Sequence, residues 1–284
     1  MFKSYVKTFI LLAVLTALLL FIGKLIGGYN GLIIAGIFVL IMNFASYFFS
    51  DKIVLWMYKA KPAGKEEFLW LHKTVEELAK KANLPKPKIY IIPARFSNAF
   101  ATGRNPKHAV VAVTQGILHN LDKEELKGVI SHELSHIKNR DILIMTVAAT
   151  IAGIISYVAS MARWAAIFGG FGGKDSEGGN NLIGLLVLTI VAPIAALLIQ
   201  LAISRTREYF ADESGAKIMN DGKPLASALL KLEDEAKRKP IRGNGYESTA
   251  HLFIVNPFKG GFVSLFSTHP PVSLRVEKLR KLRF

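Results

Sequence analysis

Leu121-Asp122-Lys123-Glu124-Glu125-Leu126-Lys127-Gly128-Val129-Ile130-Ser131-His132-Glu133-Leu134-Ser135-His136-Ile137-Lys138-Asn139-Arg140-Asp141 is the stretch from which the rest of the chain is read. Asp122 followed three residues later by Glu125 is a capping-box pair, so the spacing predicts a helix that starts here and proceeds through Leu126, Val129 and Ile130. That helix carries His132-Glu133-Leu134-Ser135-His136. Side chains four apart on a helix share a face, so both imidazoles can reach one zinc ion, and Glu133 stands beside them where it can activate water. The blander reading is a surface helix with two ordinary histidines. Ile130, Leu134 and Ile137 are apolar, however, and would half-bury the pair, where an imidazole without a partner costs more than a leucine.

Immediately after Asp141 the chain turns apolar. Its 284 residues are 51% hydrophobic with a formal net charge of +15 and no cysteine. The absence of cysteine excludes disulfides, a thiolate nucleophile and Cys-ligated zinc or iron-sulfur sites, so a metal must use His, carboxylate or water. The apolar residues concentrate in two blocks, 8–49 and 142–203, each long enough for two membrane crossings. The first reads as a hairpin, with one span over about 8–26, a Gly27-Gly28-Tyr29-Asn30-Gly31 turn and a second span over about 32–49. A cleaved signal peptide fits less well, because no small-residue cleavage site follows the first run. The second block reads as spans over about 142–167 and 182–203, joined by a Gly-rich linker, with Pro193 kinking the last span.

Four crossings put both termini on one side. Lys3, Lys7, Lys52, Lys59, Lys61, Lys138, Arg140, Arg205 and Arg207 flank that side, whereas the opposite loops hold Lys24 and Lys174 against Asp175 and Glu177. The positive-inside rule then places the termini and the His132 helix in the cytoplasm. The soluble domain is expected in two halves, residues 51–141 and 204–284. In the first half the pattern predicts a helix over 66–80, a strand over 88–92 and further short strands near 98–103 and 109–113. In the second it predicts helices over 205–219, 224–239 and 271–282.

Two histidines leave zinc short of a protein ligand. Glu208 and Asp212 are four apart and share a helical face, so one carboxylate could bind the ion and the other accept the remaining ring N–H of a ligating His. The spacing does not rank them, and both could instead be solvated.

The whole pattern resembles the M48 family of zinc metalloproteases, in particular the HtpX-like membrane proteases of bacteria and archaea, relatives of the CAAX prenyl proteases of the Ste24 type. The marks are the N-terminal apolar hairpin, Asn98-Ala99-Phe100-Ala101-Thr102-Gly103, the His132–His136 motif, Ser204-Arg205-Thr206-Arg207-Glu208-Tyr209-Phe210-Ala211-Asp212, and Ser267-Thr268-His269-Pro270-Pro271. The resemblance implies an α-helical membrane protein with four transmembrane helices and a mainly helical α+β, zincin-like cytoplasmic domain containing a small β-sheet. It implies one catalytic zinc per chain with Glu208 as third ligand, Asp212 as the partner of His132, His269 as a polar group near the transition state, and Arg275 as a positive group near Glu208 or the oxyanion; read alone, Arg275 belongs to a solvated basic helix. Asn98, Ala99 and Phe100 resemble the edge strand that such proteases offer to an extended substrate; read alone, they are an ordinary turn between strands.

The expected reaction is peptide-bond hydrolysis, with Glu133 as the base that takes the proton of the attacking water and returns it to the leaving amine. Expected substrates are misfolded or damaged membrane proteins and their cytoplasmic segments, in a bacterial or archaeal cytoplasmic membrane, with a stress-response role and self-cleavage implied by the family. Two rival readings are a membrane scaffold that retains zinc without catalysis and a prenyl-peptide processing enzyme, the latter disfavoured by four crossings. The basic excess is explained by contact with anionic lipid head groups; no aromatic-interleaved basic motif points to nucleic acid. The sequence assigns no oligomeric state.

Overall fold

The computed structural model of the chain describes residues 2–148, 150–151, 205–241, 246–258 and 270–284. The first element, α1 (Phe2–Phe48), is helical along its length but reverses at Gly28, whose φ of +55° lies in the left-handed region. Asn43 Nδ2 donates to Thr16 Oγ1 at 3.0 Å although the two are 27 residues apart. A straight helix would separate them by about 40 Å, so the two halves lie side by side. Gly23 and Gly31 make that close approach possible. A Cβ on either would fall 2.6 Å or 2.1 Å from the other's carbonyl oxygen.

The outer surface of α1 is apolar, with Phe9, Ile34, Leu40, Ile41 and Phe44 exposed. Among the described residues, one helical segment, Gly28–Phe48, is long and apolar enough to cross a membrane; Leu12–Phe21 beside it is shorter. The expected third and fourth spans fall almost wholly outside the described residues. The first turns of the third, residues 142–148, are helical and buried.

After α2 (Ser50–Met57) the chain forms a small mixed sheet from β1 (Lys61–Pro62), β2 (Lys88–Ile92), β3 (Ala99–Thr102) and β4 (Val110–Thr114), in the order β1-β2-β4-β3. β2 runs parallel to β4, and both outer strands pair antiparallel. β4, Val-Val-Ala-Val-Thr, is buried on both faces as a central strand must be. Strand alternation divides the molecule. Ile89, Ile91, Ala99, Ala101, Val111 and Val113 face a helical layer, while Ile92, Phe100, Val110 and Ala112 face a second cluster. The helical layer comprises α3 (Leu69–Lys81), α5 (Lys123–Lys138), α6 (Arg205–Met219), α7 (Lys223–Arg238) and α8 (Val272–Lys281); a short α4 (Gln115–Asn120) follows β4. The second cluster joins Tyr58, residues between 143 and 148, Ile151 and the segment around Phe253, so it links the sheet to the base of the apolar helices.

The predicted start of α5 is present atom for atom: Asp122 Oδ1 accepts from Glu125 N at 2.9 Å and Glu125 Oε2 accepts from Asp122 N at 3.0 Å. Glu125 also takes Lys231 Nζ and Ser227 Oγ, each at 2.7 Å, which ties the start of α5 to α7. α3 begins at Leu69 rather than at residue 66, because the chain first makes a turn in which Phe68 N donates to Gly64 O.

Candidate metal centre

Two helices make the site. α5 supplies His132, Glu133 and His136, all buried. α6 supplies Glu208 and Asp212 from a face that continues with Gly215, one turn further on. Gly215 is where α6 crosses α5. A Cβ there would lie 2.9 Å from His132 N and 3.0 Å from its Cα, so only glycine lets the helices come this close and brings both carboxylates to the imidazoles.

Nε2 of His132 and Nε2 of His136 are 3.2 Å apart. Glu208 completes a triangle, with Oε2 3.6 Å from His132 Nε2 and Oε1 3.5 Å from His136 Nε2. A tetrahedral zinc bound at its usual ligand distances requires donor atoms about 3.3 Å apart. The His–His edge and the approach of each imidazole to one of the two Glu208 oxygens lie close to that spacing, and among the described residues this trio is the one His/Asp/Glu cluster with donor atoms so gathered. Two imidazoles and one carboxylate are also the donor set of catalytic rather than structural zinc sites, which leave a position open. The structure thus separates the two carboxylates that the spacing left equivalent.

Asp212 sits behind the triangle. Its Oδ1 is 2.9 Å from His132 Nδ1, a close charge contact rather than an aligned hydrogen bond. Arg275 on α8 holds it from the other side, donating from Nε to Oδ2 at 2.8 Å and from Nη2 to Oδ1 at 2.7 Å, while Nη1 donates to Ile254 O at 2.9 Å. Arg275 is wholly buried, the largest such side chain among the described residues. Its Nη2 is 3.9 Å from Glu208 Oε2. Of the two placements expected for it, beside Glu208 or at the oxyanion, the structure gives the first; its donors are committed to Asp212 and Ile254. Burial alone would raise the Asp212 pKa, but the charge and hydrogen bonds of Arg275 outweigh it and bring the group down to about 2. Burial would likewise lower His132, yet Asp212 and Glu208 raise it to about 9.

Glu133 is buried, and desolvation raises its carboxyl pKa against the opposing pull of His132, His136 and the Ala101 amide. Its Oε2 accepts from Ala101 N at 2.8 Å. This contact comes from the edge strand β3. Thr114 N donates to Asn98 O, and the β3–β4 register pairs Phe100 with Ala112, so Asn98, Phe100 and Thr102 turn their backbone groups toward β4. Ala99 and Ala101 turn theirs away from β4, and the Ala101 amide meets Glu133.

The three residues expected to meet substrate therefore differ. Asn98 is 1% exposed and its side chain is committed inside the fold, donating to Leu252 O and accepting from Ile254 N, each at 3.2 Å. Phe100 packs on Tyr58 with ring centroids 5.1 Å apart. Ala99 is the member of the trio whose backbone groups point away from β4. His269 lies outside the described residues. Sequence reasoning missed the Ala101 amide and the crossing at Gly215. The first has no side-chain signal, and the second is visible only as a glycine inside a helix three residues beyond Asp212.

The family model for peptidase family M48 matches residues 65–283. A protease HtpX homolog of Pyrococcus furiosus is 55% identical over 279 residues, covering 98% of this chain and 96% of its own. One from Aquifex aeolicus is 55% identical over 269 residues, covering 93% and 88%. The crystal structure of S. mikatae Ste24p superposes with a TM-score of 0.53 at 19% identity over 98% of this chain and 67% of that one, a likeness of fold alone.

Proposed function

The chain belongs to peptidase family M48 and is a zinc-dependent protease, and from that premise we propose that it is a membrane-embedded endopeptidase acting on membrane proteins at the cytoplasmic face. The observation that carries the reading is the gathering of His132 Nε2, His136 Nε2 and the Glu208 carboxylate, with buried Glu133 beside it. His132, His136 and Glu208 would hold one zinc, which supplies Lewis acidity toward a carbonyl and toward water.

The protein's own groups do the rest. Glu133, with its pKa raised by burial, takes a proton from the attacking water and delivers it to the leaving nitrogen. The Ala101 amide fixes the carboxylate that does so. The outward backbone of Ala99 offers an extended peptide edge-strand hydrogen bonds that are indifferent to side chain, which suits broad cleavage of unfolded segments. Arg275 keeps Asp212 ionised, and Asp212 keeps the Nδ1 of His132 facing away from the donor triangle. His269 is proposed as a further polar group at the reacting carbonyl on the strength of the Ser267–Pro271 motif.

The membrane arrangement proposed is four crossings, over about 8–26, 32–49, 142–167 and 182–203, in a bacterial or archaeal cytoplasmic membrane with both termini inside. Supporting it are the apolar exposed surface of α1, the exposed Trp56 just beyond it, and the distribution of basic residues. Substrates are then membrane proteins that are misfolded or damaged, and anionic head groups meet the basic flanks. The test is cleavage of casein and of a destabilised membrane protein by the purified chain in detergent. Glu133→Gln should retain stoichiometric zinc and lose cleavage; full cleavage by that variant would refute the mechanism, and cleavage of soluble casein alone would refute the substrate class.

A further inference from the structure

His132 has Asp212 2.9 Å behind its Nδ1; His136 is the second ligand of the same triangle, and its Nδ1, like that of His132, is buried without an aligned hydrogen bond. A buried ring N–H without an acceptor is costly. The nearest carboxylate oxygen is Oδ2 of Asp141, 3.6 Å away. Asp141 reaches this place through the way α5 ends. Asn139 caps the helix, Arg140 adopts φ +58°, and the chain doubles back so that Asp141 N donates to His136 O at 2.9 Å. A non-glycine residue in the left-handed region is a locally unfavourable choice that here returns the aspartate beneath the histidine. The carboxylate is 7% exposed, and its other oxygen is fixed by Arg207 Nη1 at 2.8 Å. Arg207 directly precedes Glu208, so one turn of α6 anchors both the third metal ligand and the group behind the second.

We propose that Asp141, held by Arg207, is a positioning residue for His136, fixing its ring so that Nε2 faces the metal and Nδ1 carries the proton. The inference rests on the zinc reading of the site. The centre is then built with a carboxylate behind each histidine, each gripped by an arginine: Arg275 for Asp212 and Arg207 for Asp141. Partners behind ligating histidines typically change metal affinity by 10–100-fold when removed.

The test is zinc affinity of the full chain in detergent, measured by competition with a chromophoric chelator on protein stripped and reloaded with zinc alone. Asp141→Ala should weaken zinc by about 10–100-fold and shift the visible spectrum of the cobalt-substituted protein. Asp141→Asn, which keeps an acceptor oxygen at the same reach, should fall between wild type and Asp141→Ala. Arg207→Gln should weaken zinc alone but add little in the Asp141→Ala background. Affinity within twofold of wild type in Asp141→Ala, with an unchanged cobalt spectrum, would overturn the role even if the variant unfolds at lower temperature. If Asp141→Ala fails to accumulate, wild-type affinity in both Asp141→Asn and Arg207→Gln would overturn it. A wild-type chain that takes up no zinc would instead overturn the metal centre itself.

Discussion

Replacing Arg275 by leucine removes a side chain with no exposure to solvent that donates twice to Asp212 and once to Ile254 O. The loss of attraction is the smaller part of the effect. Asp212, 3% exposed, is left ionised beside His132 with its principal counter-charge gone, and Glu208 loses a positive neighbour at 3.9 Å. Removing one partner of a buried ion pair costs about 3–5 kcal/mol. For a domain of this size that is a fall of roughly 6–20 °C in the unfolding midpoint. The pair also carries a pH signature. Asp212 has a folded pKa of about 2 against an ordinary value of 3.8, so its contribution is complete above the unfolded value and is lost as the pH falls through the folded one. The difference corresponds to about 2 kcal/mol between pH 5 and pH 2. Arg275→Leu combined with Asp212→Asn removes both charges and should recover part of the single variant's loss, as well as flattening the acid limb. The assay is thermal unfolding of zinc-stripped protein in detergent, followed by tryptophan fluorescence from pH 2 to 7. A single variant within 1 kcal/mol of wild type, or a double variant as unstable as the sum of its parts, would refute this account of the pair.

Other substitutions probe different links. Gly215→Ala places a Cβ 2.9 Å from His132 N, so it should cost about 1–3 kcal/mol and weaken zinc together, which unfolding and chelator competition would show. Asn98→Ala removes both ties to the Leu252–Ile254 segment; it should destabilise by about 1–3 kcal/mol in thermal unfolding while zinc affinity stays at the wild-type level. Zinc uptake must displace the proton that His132 holds up to about pH 9, so zinc affinity should rise with pH from 6 to 9 by up to tenfold per unit. A flat chelator-competition profile over that range would contradict the assignment.

What could be read from the chain and what could not divides by distance along it. The α5 helix, its capping pair and the shared face of His132 and His136 depend on residues three and four apart, and local spacing suffices for them. The same spacing places Glu208 and Asp212 on one face but cannot say which meets the metal. That is decided by how α6 crosses α5 at Gly215, a contact between residues 83 apart by their numbers. Arg275 is legible as a charge yet reads as part of a solvated basic helix. Its burial follows from α8 packing against α6 and α7, which no periodicity encodes. Asp141 was visible only as the last polar residue before an apolar run, because its approach to His136 needs the left-handed turn at Arg140. Asn98 drew attention through its motif, but its side chain serves the segment at 252–254, more than 150 residues away.

The central claim is that Glu208 closes the coordination begun by His132 and His136. X-ray absorption at the zinc edge on the purified chain, paired with metal analysis of Glu208→Ala, tests it most directly. The account predicts one zinc per chain with two imidazole nitrogens and oxygen in its shell, and loss of that zinc in the variant. One tightly held zinc per chain in Glu208→Ala, with the wild-type shell intact, would contradict it.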